Sequence, residues 1–76
     1  MDYPNKIYVK LYRETGRGEV FERLNEHGDY YVCKNEYASP VTSFIRLCSD
    51  GHLEYLWNGK HTPLNCEWEE IRKITA

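Results

Sequence analysis

Four side chains in the second half of the chain, Cys48, His52, His61 and Cys66, have the identities of zinc ligands. They are two thiols and two imidazoles in a C-x3-H and H-x4-C arrangement. Structural zinc sites usually grip their metal with close C-x2-C knuckles, which this spacing does not form. Cys48 and His52 flank a single turn, whereas His61 falls about four residues, roughly 13 Å, along the following ladder. Cys66 lies beyond Pro63, outside that ladder's register. The four do not converge, so no metal ligand and no cofactor is expected, and the cysteines read as small packing groups. A second grouping, Cys48 with His52 as base and Asp50 as orienter, has the composition of a nucleophilic site. It sits at a loop tip, without walls to exclude water or an electropositive setting to favour the thiolate. No catalytic residue is assigned, and the chain is not expected to be an enzyme.

Aromatic residues interleaved with bases carry a stronger signal. Tyr8, Lys10 and Tyr12 fall on one face of an alternating segment, and Arg23 and Tyr31 read as opposite one another in a following hairpin. If those strands are neighbours, Tyr8, Lys10, Tyr12, Arg23 and Tyr31 share a surface. On such a surface bases stack and phosphates pair, as small barrels bind single strands. The same five residues would equally anchor a protein partner. A third reading is that a terminal helix covers them, because a sheet needs a layer over its apolar face.

The element that positions everything else is Ser43 to Lys60. Ser49-Asp50-Gly51 suits a three-residue hairpin loop with Gly51 in the left-handed conformation. That loop sets Cys48 opposite His52, then Leu47 opposite Leu53, Arg46 opposite Glu54, Ile45 opposite Tyr55 and Phe44 opposite Leu56. Apolar residues meet apolar ones and opposite charges meet. A two-residue turn would move every strand residue to the other face. Asn58-Gly59 makes a second tight turn, so strand follows strand.

Around this hairpin, Lys6 to Arg13 alternates with Ile7, Val9 and Leu11 on one side, the pattern of a half-buried strand. Thr15-Gly16-Arg17-Gly18 breaks it as a flexible turn; the third glycine and the helix of a phosphate loop are missing. Glu19 to Asn35 reads as a hairpin about Asn25-Glu26-His27-Gly28, in a register that pairs Leu24 with Tyr30 and Phe21 with Cys33. Asn35 to Thr42 is a loop, and Thr62-Pro63 stops the last ladder. Leu64, Trp68, Ile71 and Ile74 then recur at helical spacing, with Asn65 as cap and acids preceding bases. A short C-terminal helix over residues 65–74 is predicted; the competing reading is a closing strand around Trp68 that pairs with the first strand. The expected fold is mainly β: one small domain over residues 1–76, a curved antiparallel five-strand meander. In general form it is SH3-like or OB-like, a partial barrel with a short helix or closing strand at its end.

A chain of 76 residues buries only about 60% of its unfolded surface and has little room for a deep cleft. Seven tyrosines and two tryptophans must serve packing and surface together, and tyrosine is a favoured interface residue. The formal net charge of −2 argues against a general nucleic-acid binder, which needs a basic surface. The bases cluster towards the N-terminus, however, and the acids after Ser49. No run is apolar and long enough to span a membrane, and MDYPNKIYVK lacks the apolar core of a secretory signal. An odd number of cysteines, three, fits reduced thiols and a cytoplasmic location. These features together predict a non-enzymatic protein-binding module. It would be a small regulator or inhibitor, phage-like in kind, that occupies a surface of a larger protein. The alternative is a single-stranded nucleic-acid-binding barrel using the aromatic and basic face.

Overall fold

In the computed structural model, which describes residues 3–12, 14–36 and 38–71, the alternating segments become seven strands. They are β1 (Lys6–Tyr12), β2 (Arg17–Arg23), β3 (Asp29–Val32), β4 (Phe44–Leu47), β5 (Leu53–Trp57), β6 (Lys60–Leu64) and β7 (Trp68–Glu70). All belong to one antiparallel sheet in the order β6-β5-β4-β3-β2-β1-β7. The sheet curls into a half-barrel, with the side chains of alternate positions meeting on its concave side. Ile7, Val9, Phe21, Tyr30, Val32, Ile45, Leu47 and Leu53 make that core. Burying each such side chain contributes about 1.5–3 kcal/mol, the principal force holding so small a sheet together. Three side-chain hydrogen bonds brace the curl. The Trp68 indole Nε1 donates to Gly51 O at 2.7 Å, joining β7 to the β4–β5 turn. At the end of the sheet that carries the β2–β3 and β4–β5 turns, Tyr30 Oη donates to Pro4 O at 2.5 Å and Arg23 Nη1 to Tyr3 O at 3.0 Å, tying down the N-terminal segment.

The central hairpin has the register that its loop implies. Leu47 pairs with Leu53, Arg46 with Glu54 and Ile45 with Tyr55. Gly51 has φ 94°, and Cys48 N donates to His52 O at 2.9 Å. The Asn58-Gly59 turn follows, with φ 50° and 76°, and sets Trp57 against Lys60 and Leu56 against His61.

Four expectations are corrected. The sheet has seven strands rather than five. No helix occurs among the described residues; β7 stands where the helix was expected, pairing Val9 with Trp68 and Tyr8 with Glu69. The open edge of β1 decides this, because its backbone groups need partners. Lys10 N donates to Glu67 O at 2.9 Å and Ile71 N to Lys6 O at 3.0 Å, bonds that a helix there could not supply. Residues 72–74 of the expected helix lie outside the described residues. The last ladder also continues through Pro63 to the Leu53–Leu64 pair. Proline is tolerated because β6 is an edge strand and loses no ladder bond on its open side.

The fourth correction concerns β2 and β3. The second strand begins at Arg17, straight after the turn, and a bulge in β1 opposite Gly18 shifts the register so that Tyr12 meets Arg17. Its pairing with β3 is one residue away from expectation. Phe21 pairs with Val32, Glu22 with Tyr31 and Arg23 with Tyr30. The loop holds four residues rather than three, and Leu24 N donates to Asp29 O across its base at 2.7 Å. Asn25 shapes it: Asn25 Oδ1 accepts from His27 N at 2.8 Å, and Asn25 Nδ2 donates to Asp29 Oδ2 at 2.7 Å. This asparagine-centred turn still ends in Gly28 at positive φ, and is one residue longer than the expected loop.

Candidate binding face and donor cluster

A one-residue change of register moves a whole strand between faces, and it divides the five residues singled out from the sequence. Arg23 lies on the concave side, across from buried Tyr30, with its guanidinium held by Tyr3 O. Tyr31 lies on the convex side, across from Glu22 and Phe44. The expected Arg23–Tyr31 pair is therefore split. Tyr8 and Lys10 are convex, but both are engaged locally: Tyr8 Oη donates to Gly16 O at 3.1 Å, and Lys10 Nζ lies 3.8 Å from a Glu67 carboxylate oxygen. Tyr12 is exposed beyond the bulge, out of step with the alternation that Tyr8 and Lys10 follow. The structure thus keeps Tyr8 beside Lys10 and sets Tyr31 two strands away, with no common patch for all five.

A different row of side chains emerges. The ladders place Lys6 beside Glu22, Glu22 beside Tyr31, and Tyr31 beside Phe44. Leu56 lies one step past the Ile45–Tyr55 pair on the same side as Phe44, and pairs with His61. The row crosses six strands, about 24 Å at the usual strand spacing. Its centre is apolar: Tyr31, Phe44 and Leu56 are 51%, 42% and 50% exposed. Lys6 and Glu22 form an ion pair at 3.8 Å at one end, and exposed His61 stands at the other. Leu24, also exposed, flanks the row on β2's convex side. Lys6, Tyr8, Val20 and Cys33 border a shallow groove of about 390 Å³ on its other flank. Phe44 and Leu56 were absent from the sequence-derived set, although a signal for them was present. The same register that opposed them also put them on the face marked as solvated by Arg46 and Glu54.

The thiol and imidazole groups are placed by the central hairpin. The Cys48 thiol, an Asp50 carboxylate oxygen and a His52 ring nitrogen lie within 4.8 Å of one another. His52 Nδ1 contacts Asp50 Oδ1, and His52 Nε2 lies 3.2 Å from Glu54 Oε2. Hydrogen bonds to Glu54 and then Asp50 raise the His52 pKa above its ordinary value. Those with His52 lower both carboxylates, for Asp50 chiefly through the His52 backbone N–H. Cys48 moves the other way, raised by burial first and then by its hydrogen bond with Glu54 and the nearby negative charges. This environment favours the thiol over the nucleophilic thiolate. Neither His61 nor Cys66 joins the group among the described residues.

No described helix is long and apolar enough to cross a membrane. No protein-family model, no curated protein and no solved structure matches this chain.

Proposed function

We propose that the chain is a non-enzymatic protein-binding module that contacts a larger partner through the convex row Tyr31, Phe44 and Leu56, in the manner of a small regulator or inhibitor. The observation that supports this reading is the exposure of three large apolar side chains in a row on three consecutive strands, with exposed Leu24 beside them. Interfaces commonly combine an apolar, aromatic centre with a charged rim. Here the rim is the Lys6–Glu22 pair, Arg46, Glu54 and His61. The rigidity of the strands favours binding, because little side-chain and backbone freedom is left to lose.

The charge arrangement weighs against a single-strand nucleic-acid platform. Lys10 pairs with Glu67, Lys6 with Glu22 and Arg46 with Asp29, while Arg23 is on the concave side. A phosphate approaching the convex face would meet carboxylates beside each of these bases, on a chain of net charge −2.

A photo-crosslinking residue placed at Phe44, with Thr15 on the β1–β2 turn as control, tests the reading in nuclease-treated lysate. The expected result is a protein adduct from position 44 that position 15 does not give. With that partner purified, Leu56→Ala or Tyr31→Ala should weaken binding by on the order of 2 kcal/mol, about thirtyfold, if it removes a hot spot. Equal crosslinking from both positions would sink the reading. So would steeply salt-dependent binding to single-stranded oligonucleotides that Lys10→Ala abolishes.

A further inference from the structure

The geometry points to a surface site for one divalent transition-metal ion of the zinc class, held by Cys48 Sγ, an Asp50 carboxylate oxygen and His52 Nδ1, with Glu54 orienting the imidazole. Its three ligands lie outside the proposed protein-binding row, and Glu54 is shared with the rim of that row.

Both ring nitrogens of His52 face carboxylate oxygens, Asp50 at Nδ1 and Glu54 at Nε2. A neutral imidazole has one N–H to give, and an ionised carboxylate only accepts. One of the two contacts therefore calls for a cation. A proton on the ring would satisfy it; the sulfur of Cys48, which shares a hydrogen bond with Glu54, also lies within 4.8 Å of the other two donors. A metal ion uses all three. With Nε2–H donated to Glu54 at 3.2 Å, Nδ1 carries the free lone pair and turns towards Asp50 and Cys48. A carboxylate behind the coordinated imidazole in this way is the usual means of fixing the tautomer and the ring orientation.

The donor set selects the class of ion. Binding displaces the Cys48 thiol proton to solvent; the resulting thiolate, with one imidazole and one carboxylate, suits a borderline-soft ion such as zinc or cobalt(II), and does not suit the all-oxygen preference of calcium or magnesium. Tetrahedral zinc bond lengths put ligand atoms about 3.5 Å apart. The three donor atoms lie within 4.8 Å of one another, near that spacing. The backbone beneath is already fixed by Cys48 N to His52 O and Gly51 N to Cys48 O, both 2.9 Å, and by His52 N to Asp50 Oδ1 at 3.2 Å. Three protein ligands on an open hairpin leave the fourth position to water. Folding does not depend on such a site, because the core lies on the opposite face.

Titration of the reduced, metal-free chain with cobalt(II) reads the site directly, since thiolate ligation gives a charge-transfer absorption that oxygen and nitrogen ligands do not. The expected result is one equivalent bound with that band, and its bleaching when zinc is added. Cys48→Ser should remove the band, while Cys33→Ser and Cys66→Ser keep it. Asp50→Asn and His52→Ala should each weaken binding tenfold or more, and Glu54→Gln by less. Near-ultraviolet circular dichroism confirms that each variant is folded. Absence of the band, its survival in Cys48→Ser, or unchanged affinity in His52→Ala would overturn the assignment.

Discussion

The β2–β3 and β4–β5 hairpins look alike in sequence, each with a loop ending in glycine at positive φ, Gly28 at 89° and Gly51 at 94°. In the structure they differ by one loop residue, and that residue decides which tyrosine is core. Between β4 and β5, Ile45, Leu47 and Leu53 are buried, and only one register puts all three on one side. Between β2 and β3, both faces offer an aromatic and a charge, so pattern alone does not choose. Tyr30 is fully buried, with its hydroxyl on Pro4 O, while its neighbour Tyr31 is exposed. The loops differ as well. A Cβ added at Gly51 would meet open space, whereas Gly28 is buried against β4 and gives its carbonyl to Leu47 N at 2.8 Å. A turn signature is decisive when an unambiguous apolar face agrees with it; otherwise the docking of the loop decides.

The largest test of this contrast compares adjacent tyrosines. Tyr30→Ala should cost about 3–5 kcal/mol in chemical denaturation, as aromatic core truncations do, while Tyr31→Ala should stay within about 0.5 kcal/mol. Equal losses would break the β2–β3 register. Next come the two glycines. An alanine Cβ at Gly28 would lie 2.5 Å from Leu47 O, so overlap adds to the left-handed backbone strain and the expected loss is about 2–4 kcal/mol. At Gly51 the strain acts alone, and Gly51→Ala should cost about 1 kcal/mol. A reversed order in thermal melts would contradict the docked loop.

Asp29 joins the two hairpins through Arg46 Nε at 3.1 Å. Burial raises its pKa, but hydrogen bonds from Asn25 and Arg46, with the Arg46 charge, outweigh this and hold the carboxyl below its ordinary value. The ionised form is therefore favoured in the fold. Its contribution is present above the unfolded-state pKa and is lost as pH falls through the lower folded one. Asp29→Asn should cost about 1–3 kcal/mol near neutrality and flatten the acid limb of the stability curve, as urea melts at several pH values would record. An unchanged acid limb would mean that the junction is not formed. The last effect is alkaline. Burial pushes the Tyr30 hydroxyl up to about 12, against the pull of the Arg23 charge. The unfolded chain then ionises first, so stability should fall by up to about 1.4 kcal/mol per pH unit above pH 10. Tyr30→Phe should remove that slope; if the slope persists, another group is its source.

Much of the architecture was legible. The β1 alternation, the central register from Ile45–Tyr55 to Leu47–Leu53 and the Asn58-Gly59 turn follow from local rules: period-two burial and glycine-dependent turns. Other features depend on partners distant in the chain. Trp68 and Ile71 have helical spacing, yet residues 68–70 form a strand because β1, about sixty residues earlier in the sequence, has an edge to satisfy. Arg23 went to the concave side because Tyr3 and Pro4 cap that end, and no local signal announces them. The convex row needed both kinds of information. Sequence put Phe44 opposite Leu56, but only the β3–β4 pairing brought Tyr31 beside them. The Cys48, Asp50 and His52 cluster is the opposite case, placed by a loop that sequence already defined, although its approach to Glu54 depends on side-chain packing. Local interactions determine where the chain turns and which way a clearly amphipathic strand faces. Where both faces are mixed, or an edge stands open, the free energy of pairing with distant segments decides, because unsatisfied backbone groups and misplaced apolar area cost more than a local propensity supplies.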